Sequence, residues 1–249
     1  MVKQTFLTRP VIVTKTIDER VYKHFEGRNV DLIQRLVTGK ENGVKVDHTR
    51  LLISPKDLAI AILGRINSKY DTEYLNGVYV DTSTAVIKDS ETGRVKFSSG
   101  NPLIYTLNTK TELESGKLII TPEQYAQAEG FELTKEQAEL FRNYPYSQKI
   151  LRRKVWEKEF MEGDVQLTKD YITYVEQKTG YKFDKIMGLY TPTNDGLSLL
   201  CVDRVDGSDR SDADGDYGLD YDIGRLVGVA AEPHIVAEKT RIPLEQLIQ

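Results

Sequence analysis

The most constraining stretch of this chain is residues 188–231, which lie close to its C-terminus. These 44 residues contain no Lys, Glu, Gln, Met or Trp, whereas the other 205 residues contain 53 of them. Residues 203–222, here called the acidic segment, hold eight Asp and two Arg. Apolar and β-branched residues over 197–205 and 224–231 predict strands. The sequence therefore predicts that a framework of strands presents an acidic loop.

Two interpretations of the acidic segment need no partner protein. Asp, Gly and Ser favour turns, so the segment is typical of an ordinary surface loop. Alternatively, the alternating carboxylates of Asp212, Asp214 and Asp216 predict a calcium site, because Ca²⁺ prefers hard oxygen ligands. The EF-hand pattern is absent, since Tyr217 and Ile223 occupy the positions of its Gly and Glu. Calcium, held in a looser carboxylate site, is thus the one cofactor that the sequence suggests.

A third interpretation is a recognition surface. Tyr, Ser, Gly, Asp and Arg supply aromatic contact area, adaptable hydrogen bonds and bidentate charge, as binding loops do. On this interpretation the tyrosines anchor the partner, and the charged side chains around them make polar contacts. The predicted ligand-binding residues are Asp203, Arg204, Asp206, Asp209, Arg210, Tyr217 and Tyr221.

The five absent residue types and the closing run 219–229 resemble the variable region of target proteins diversified by retroelements. In that family, adenine mutagenesis of Asn codons yields Asp, Ser, Gly, Tyr, Arg, Ala, Leu and Val, but never the five types missing here. The resemblance covers about a fifth of the chain and implies a C-type-lectin-like fold and a phage or archaeal source. Two features depart from the family: a Gly-Gly-Ser-Trp type motif is missing, and an 18-residue tail follows the segment.

Composition narrows the functional class. A hydrophobic content of 39%, a charged content of 29% and a net charge of −4 are ordinary for a soluble protein and give no electrostatic case for nucleic-acid binding. No apolar run reaches the length of a membrane span, and the N-terminus lacks the apolar core of a signal peptide. We therefore expect a cytoplasmic or virion-associated location. The single cysteine, Cys201, excludes an internal disulfide and is expected to be buried.

Enzyme motifs are absent from the sequence, which has no Walker A loop, Gly-x-Gly-x-x-Gly, His-Glu-x-x-His or Gly-x-Ser-x-Gly. The enzymatic alternative is a metal-dependent hydrolase in which Asp203, Asp206 and Asp209 hold Mg²⁺. A virion or assembly component is a further alternative. The preferred hypothesis is a non-enzymatic binding protein whose partner is an unknown protein or surface ligand.

The pattern of elements predicts an α+β protein, in which a helical insert interrupts a mixed or antiparallel sheet. We divide the chain into an α/β part, 1–120, with an antiparallel meander, and a second part, 121–249, with a helical unit followed by β-rich chain that carries the acidic segment. Ser54 and Pro55 predict a helix start, Gly39 a helix end, and Thr168 another start. Strands are also predicted over 10–17, 103–107, 181–191 and 234–237, with a closing helix over 242–248.

Overall fold

The computed structural model describes residues 22–41, 43–45, 49–64 and 75–230. The strands predicted over 10–17 and 234–237 and the helix predicted over 242–248 lie outside these ranges. The α-helices of the described ranges are α1 (Asn29–Thr38), α2 (Pro55–Ile62), α3 (Pro122–Gln127), α4 (Lys135–Asn143), α5 (Lys149–Val155) and α6 (Val165–Thr179). The strands are β1 (Tyr22–Gly27), β2 (Lys40–Glu41), β3 (Val44–Lys45), β4 (Arg50–Leu52), β5 (Val80–Lys88), β6 (Val95–Ser99), β7 (Phe131–Leu133), β8 (Leu189–Tyr190), β9 (Gly196–Val202), β10 (Ala213–Asp214) and β11 (Gly224–Ala230).

Capping residues set the ends of the first two helices as the sequence predicts. Helix α1 ends at Gly39, whose φ of 62° is a left-handed conformation that glycine adopts without a side-chain clash. Helix α2 begins after Ser54, whose hydroxyl accepts a hydrogen bond from the backbone N–H of Asp57 at 3.0 Å, with Pro55 in the first turn. Both predictions are confirmed.

The helical insert follows β6 and contains α3 to α6, with a π-helical turn, Trp156–Phe160, directly after α5. Capping boxes at Thr121 and Thr134 start α3 and α4. The start predicted at Thr168 is wrong. Helix α6 begins after Asp164, whose carboxylate accepts from Leu167 N at 2.8 Å, and the Thr168 hydroxyl donates back to Asp164 O at 2.7 Å. Asp caps a helix as well as Thr does, and Asp164 takes that role here.

Two predicted strands are short helical turns instead. Residues 103–106 lie in a 3-10 helix, Pro102–Thr106, which ends before Leu107, because Asn101 caps it and Pro102 lacks the N–H that a strand ladder needs. Most of 181–191 is irregular, with a 3-10 turn at Phe183–Lys185 before β8. Outside β8, apolar residues in both stretches contact the core without strand pairing, and this is why their composition was misleading.

Nine of the described strands form one mixed sheet, with the order β1-β11-β5-β9-β10-β8 and with β4, β6 and β7 attached at its sides. Most pairs are antiparallel, while β11 runs parallel to β5 and β10 runs parallel to β8. The α+β class with a helical insert is therefore confirmed. The division at residue 121 stays a prediction, and the sheet contains strands from both predicted parts.

Both faces of the sheet are covered. Side chains of β5 and β9 alternate between two apolar clusters, with Val86 and Leu200 on one face and Ala85 and Leu199 on the other. The first cluster packs against α2 and the insert, and the second packs against α1. Strand β9 is buried along its whole length, which fixes the point from which the acidic segment leaves the sheet. No helix in the ranges that the structure describes is long and apolar enough to cross a membrane.

Candidate functional site

The acidic segment lies between β9 and β11, and β10 divides it into two loops. In β10, Ala213 pairs with Val202 and Asp214 pairs with Cys201 of β9. We call residues 203–212 the first loop and residues 215–223 the second loop. Because β10 is bonded to β9 on one side and to β8 on the other, each loop is anchored to the sheet at both of its ends.

Charged residues of the first loop form its own turn. The Asp206 carboxylate accepts hydrogen bonds from the backbone N–H groups of Ser208 at 2.7 Å and Asp209 at 3.0 Å. Arg204 forms an ion pair with Asp209, and its Nε lies 3.6 Å from Asp206 Oδ2. Three of the predicted ligand-binding residues therefore contact one another, and this arrangement shapes the loop.

The helical insert braces the end of the first loop. Arg210 and Ser211 both have a φ of 58°, a conformation that side chains other than glycine adopt at a cost. The Ser211 hydroxyl is buried and lies 2.7 Å from the hydroxyl of Tyr171, which belongs to α6. The Arg210 guanidinium lies 4.2 Å from the ring centroid of Tyr181. These contacts compensate for the strained backbone at this point.

Asp212 is buried and is held by groups from outside the acidic segment. Its carboxylate accepts hydrogen bonds from the Tyr146 hydroxyl at 2.5 Å and from the backbone N–H of Gly188 at 2.6 Å. A side chain at Gly188 would lie 2.9 Å from the Tyr146 ring, so glycine permits this close approach. Burial raises the pKa of Asp212 to about 6, while these hydrogen bonds and the charges of Arg210 and Arg152 act in the opposite direction.

Lys117 anchors the second loop. Its side chain is buried, and its ammonium donates to the backbone carbonyls of Gly215 at 3.2 Å, Asp216 at 2.9 Å and Tyr217 at 2.9 Å. Burial lowers the pKa of Lys117 to about 8, although nearby carboxylates, Asp216 first among them, raise it. The turn of the second loop is thus wrapped around a cation that the protein itself supplies.

The rest of the second loop is bonded to the framework through its backbone. Leu219 is fully buried, its N–H donates to Gly116 O at 2.7 Å, and its carbonyl accepts from Val30 N at 3.2 Å. The Tyr79 hydroxyl donates to the carbonyl of Ile223. The path of this loop is therefore set by backbone groups and by one buried leucine, and the exposed side chains do not determine it.

The three carboxylates predicted to bind calcium contact different protein groups. Asp212 binds Tyr146 and Gly188, as described above. Asp214 accepts from the N–H of Asp216 at 2.7 Å, and Asp216 accepts from the N–H and hydroxyl of Thr193 at 2.7 and 3.1 Å. Over the described part of the chain, no three Asp, Glu, His or Cys side chains form a group that could hold a metal ion. Calcium binding stays a prediction.

Tyr217 and Tyr221 form an exposed aromatic pair on the second loop. Their rings are stacked with centroids 5.6 Å apart, and 40% and 43% of their surfaces are exposed. The neighbouring Ile223 is 50% exposed. Of the predicted ligand-binding residues, these two tyrosines offer the largest apolar surface to a partner.

Asp203 is half-buried at the end of β9. Burial raises its pKa to about 8, and the charges of Asp214, Asp212 and Asp209 add to this shift. Burial also raises the pKa values of Asp81 and Asp214 to about 6. Cys201 is buried beside these acids, and burial raises the pKa of its thiol, which suits the predicted structural position and not a nucleophile.

Sequence reasoning missed the residues that hold the loops from outside. Lys117 lies in a polar stretch, and Tyr146 and Tyr171 lie in the insert, so each is far in sequence from the group that it binds in the acidic segment. The local signal near Lys117 is the turn at Ser115 and Gly116, both of which have positive φ. This turn predicts a loop but not the partner of the lysine.

Comparison with known proteins gives one informative match. No family model matches the chain, and no curated protein matches it. A solved structure from Nanoarchaeota is similar, and it is described as the accommodation of massive sequence variation by the C-type lectin fold. The likeness has a TM-score of 0.55 and 15% sequence identity, and it covers 86% of this chain and all of the other.

This match agrees with both the sequence resemblance and the observed architecture. At 15% identity it supports the fold only. The expectation of a C-type-lectin-like fold, which the residue types missing from 188–231 and the closing run 219–229 implied, is thereby confirmed. This chain has the C-type lectin fold, with the acidic segment placed between β9 and β11.

Proposed function

We propose that this chain is a non-enzymatic binding protein, in which a C-type lectin scaffold presents the acidic segment as a sequence-variable surface. The observation that carries the proposal is the stacked, exposed pair of Tyr217 and Tyr221 on a loop whose backbone is held from outside. Large aromatic side chains fixed on a rigid loop supply contact area at little cost in conformational entropy. They are the anchors that a partner-binding surface needs.

The second supporting feature is the separation between what holds the loops and what they display. Lys117, Tyr79 and Leu219 fix the second loop through backbone bonds and buried contacts. The side chains of Tyr217 and Tyr221 can therefore be exchanged without removing those contacts. Such a design suits a protein whose binding residues change from copy to copy. The Nanoarchaeota structure concerns sequence variation on this fold, which favours the same interpretation here.

The test is to sequence the coding segment from many copies in the source population. We expect amino-acid differences to concentrate in the acidic segment. The framework residues Arg225, Val227 and Val229 that follow it, together with β5 as an internal control, should stay constant. The expected differences fall among the residue types that the segment already contains. A segment as constant as β5 would contradict the proposal.

A further inference from the structure

Within the described ranges, some tyrosines, such as Tyr79 and Tyr125, have a cation over the ring, whereas the Tyr217–Tyr221 pair has none there. The Arg225 guanidinium lies 4.7 Å from the ring centroid of Tyr79, and its Nε is 3.4 Å from a carboxylate oxygen of Glu26. Arg225 is attracted both by the negative face of the Tyr79 ring and by the Glu26 carboxylate. In this cluster the protein itself supplies the tyrosine, the carboxylate and the cation.

The same arrangement recurs away from the acidic segment. Lys96 Nζ lies 4.4 Å from the ring centroid of Tyr125 and 3.8 Å from Glu132 Oε2, and the Tyr125 hydroxyl donates to Glu132 at 3.1 Å. At the exposed pair, tyrosines and carboxylates are both present. Asp216 directly precedes Tyr217, Asp220 and Asp222 flank Tyr221, and all three acids are exposed.

The cations of the acidic segment, and Lys117, which binds the second loop, are already engaged elsewhere. Arg204 is paired with Asp209, and Arg210 lies over Tyr181. Lys117 is buried, and its ammonium faces backbone carbonyls. Within the ranges that the structure describes, no lysine or arginine lies over the ring of Tyr217 or Tyr221. Over the described part of the chain, the exposed ring faces of the pair therefore have acidic neighbours and no cation.

We propose that the Tyr217–Tyr221 pair receives an arginine or lysine side chain from a basic surface of a partner protein. This inference rests on the proposed function and names the chemistry of its partner. The acidic segment holds eight Asp against two Arg, so its charge complements a basic surface and would steer it toward the tyrosines. Aromatic faces with carboxylates beside them favour a cation over a neutral ligand.

A short oligo-arginine peptide is the probe, and fluorescence anisotropy with the full chain is the measurement. We expect the peptide to bind and its isosteric citrulline analogue, which lacks the charge, to bind far more weakly. The double variant Tyr217→Leu and Tyr221→Leu keeps every carboxylate and should bind oligo-arginine about tenfold more weakly, which corresponds to about 1.4 kcal/mol. Tyr144→Leu is the matched control, because Tyr144 is 66% exposed outside the segment, and it should bind as the wild type does.

Three results would overturn the inference. They are equal binding of oligo-arginine by the double variant and the wild type, equal binding of the citrulline peptide, and displacement of the peptide by a neutral hexose. Circular dichroism of the double variant shows whether a loss of binding comes from unfolding. If unfolding is seen, the milder pair Tyr217→Phe and Tyr221→Phe replaces it and should retain binding, since the ring faces remain.

The failure of this inference can be told apart from failure of the proposed function. If the segment varies between copies but shows no preference for oligo-arginine, the inference of a cationic partner is wrong and the proposal of a variable binding surface stands. If the segment is constant, the proposal of a variable surface is wrong, whether or not the tyrosine pair binds arginine. The two experiments share no variant and no readout.

Discussion

Replacing Lys117 with methionine is expected to lower the free energy of unfolding by about 3 kcal/mol, because a buried, charged donor that binds several backbone carbonyls is costly to remove. Gly215 O also accepts from the Ser198 hydroxyl at 2.7 Å and keeps a partner, while the carbonyls of Asp216 and Tyr217 lose theirs. Methionine has a similar length and leaves no large cavity. Chemical denaturation of both chains measures the difference.

The matched control is Lys110→Met, since Lys110 is exposed. That change is expected to alter the free energy of unfolding by less than about 0.5 kcal/mol, as surface substitutions usually do. If Lys117→Met proved as harmless as the control, the second loop would not depend on its internal cation.

Raising the pH from 5 to 8 is expected to destabilise the folded chain, and Asp203→Asn should reduce that loss. The folded pKa of Asp203 is about 8, and its unfolded pKa is near 3.8. Between these values the folded state holds a proton that the unfolded state has released, so stability falls as the pH rises through this window. Asp81, Asp212 and Asp214, each with a folded pKa of about 6, act in the same direction at lower pH.

At pH 8 the Asp203→Asn variant should therefore be more stable than the wild type, by at least about 1 kcal/mol, the order of one pKa unit. Urea denaturation at pH 5, 7 and 8 measures both chains. Asp206→Asn is the control of opposite sign, because hydrogen bonds from Ser208 lower the pKa of Asp206 and so stabilise the fold above its unfolded pKa. A stability of the wild type that rises from pH 5 to 8 would contradict the buried, proton-holding state of Asp203.

Local signals in the sequence predicted much of the framework. Ser54 with Pro55 and Gly39 mark helix boundaries because capping depends on a few neighbouring residues. The strands on both sides of the acidic segment were visible from their apolar residues. The residue types missing over 188–231 carried the family resemblance that predicted the C-type lectin fold.

Long-range contacts explain what the sequence did not predict. The bond between Tyr146 and Asp212 joins residues 66 positions apart, and Lys117 reaches carbonyls about 100 positions away. The neighbouring residues in the sequence do not distinguish Asp212, which is buried, from Asp222, which is exposed. The acidic segment therefore looked uniform in sequence, whereas folding divides it into carboxylates that fix the loops and side chains that face solvent.

The most direct test of a framework-held display surface is thermal melting of a chain in which Tyr217, Tyr221, Asp222 and Ile223 are replaced together by serine. We expect the melting temperature to stay within about 4 °C of the wild type, which corresponds to roughly 1 kcal/mol for a chain of this size. Leu219→Ser, in the same loop but buried, should lower it much further. A four-residue variant that melts as low as Leu219→Ser, or without cooperativity, would contradict the claim that the framework, and not the displayed side chains, holds this surface.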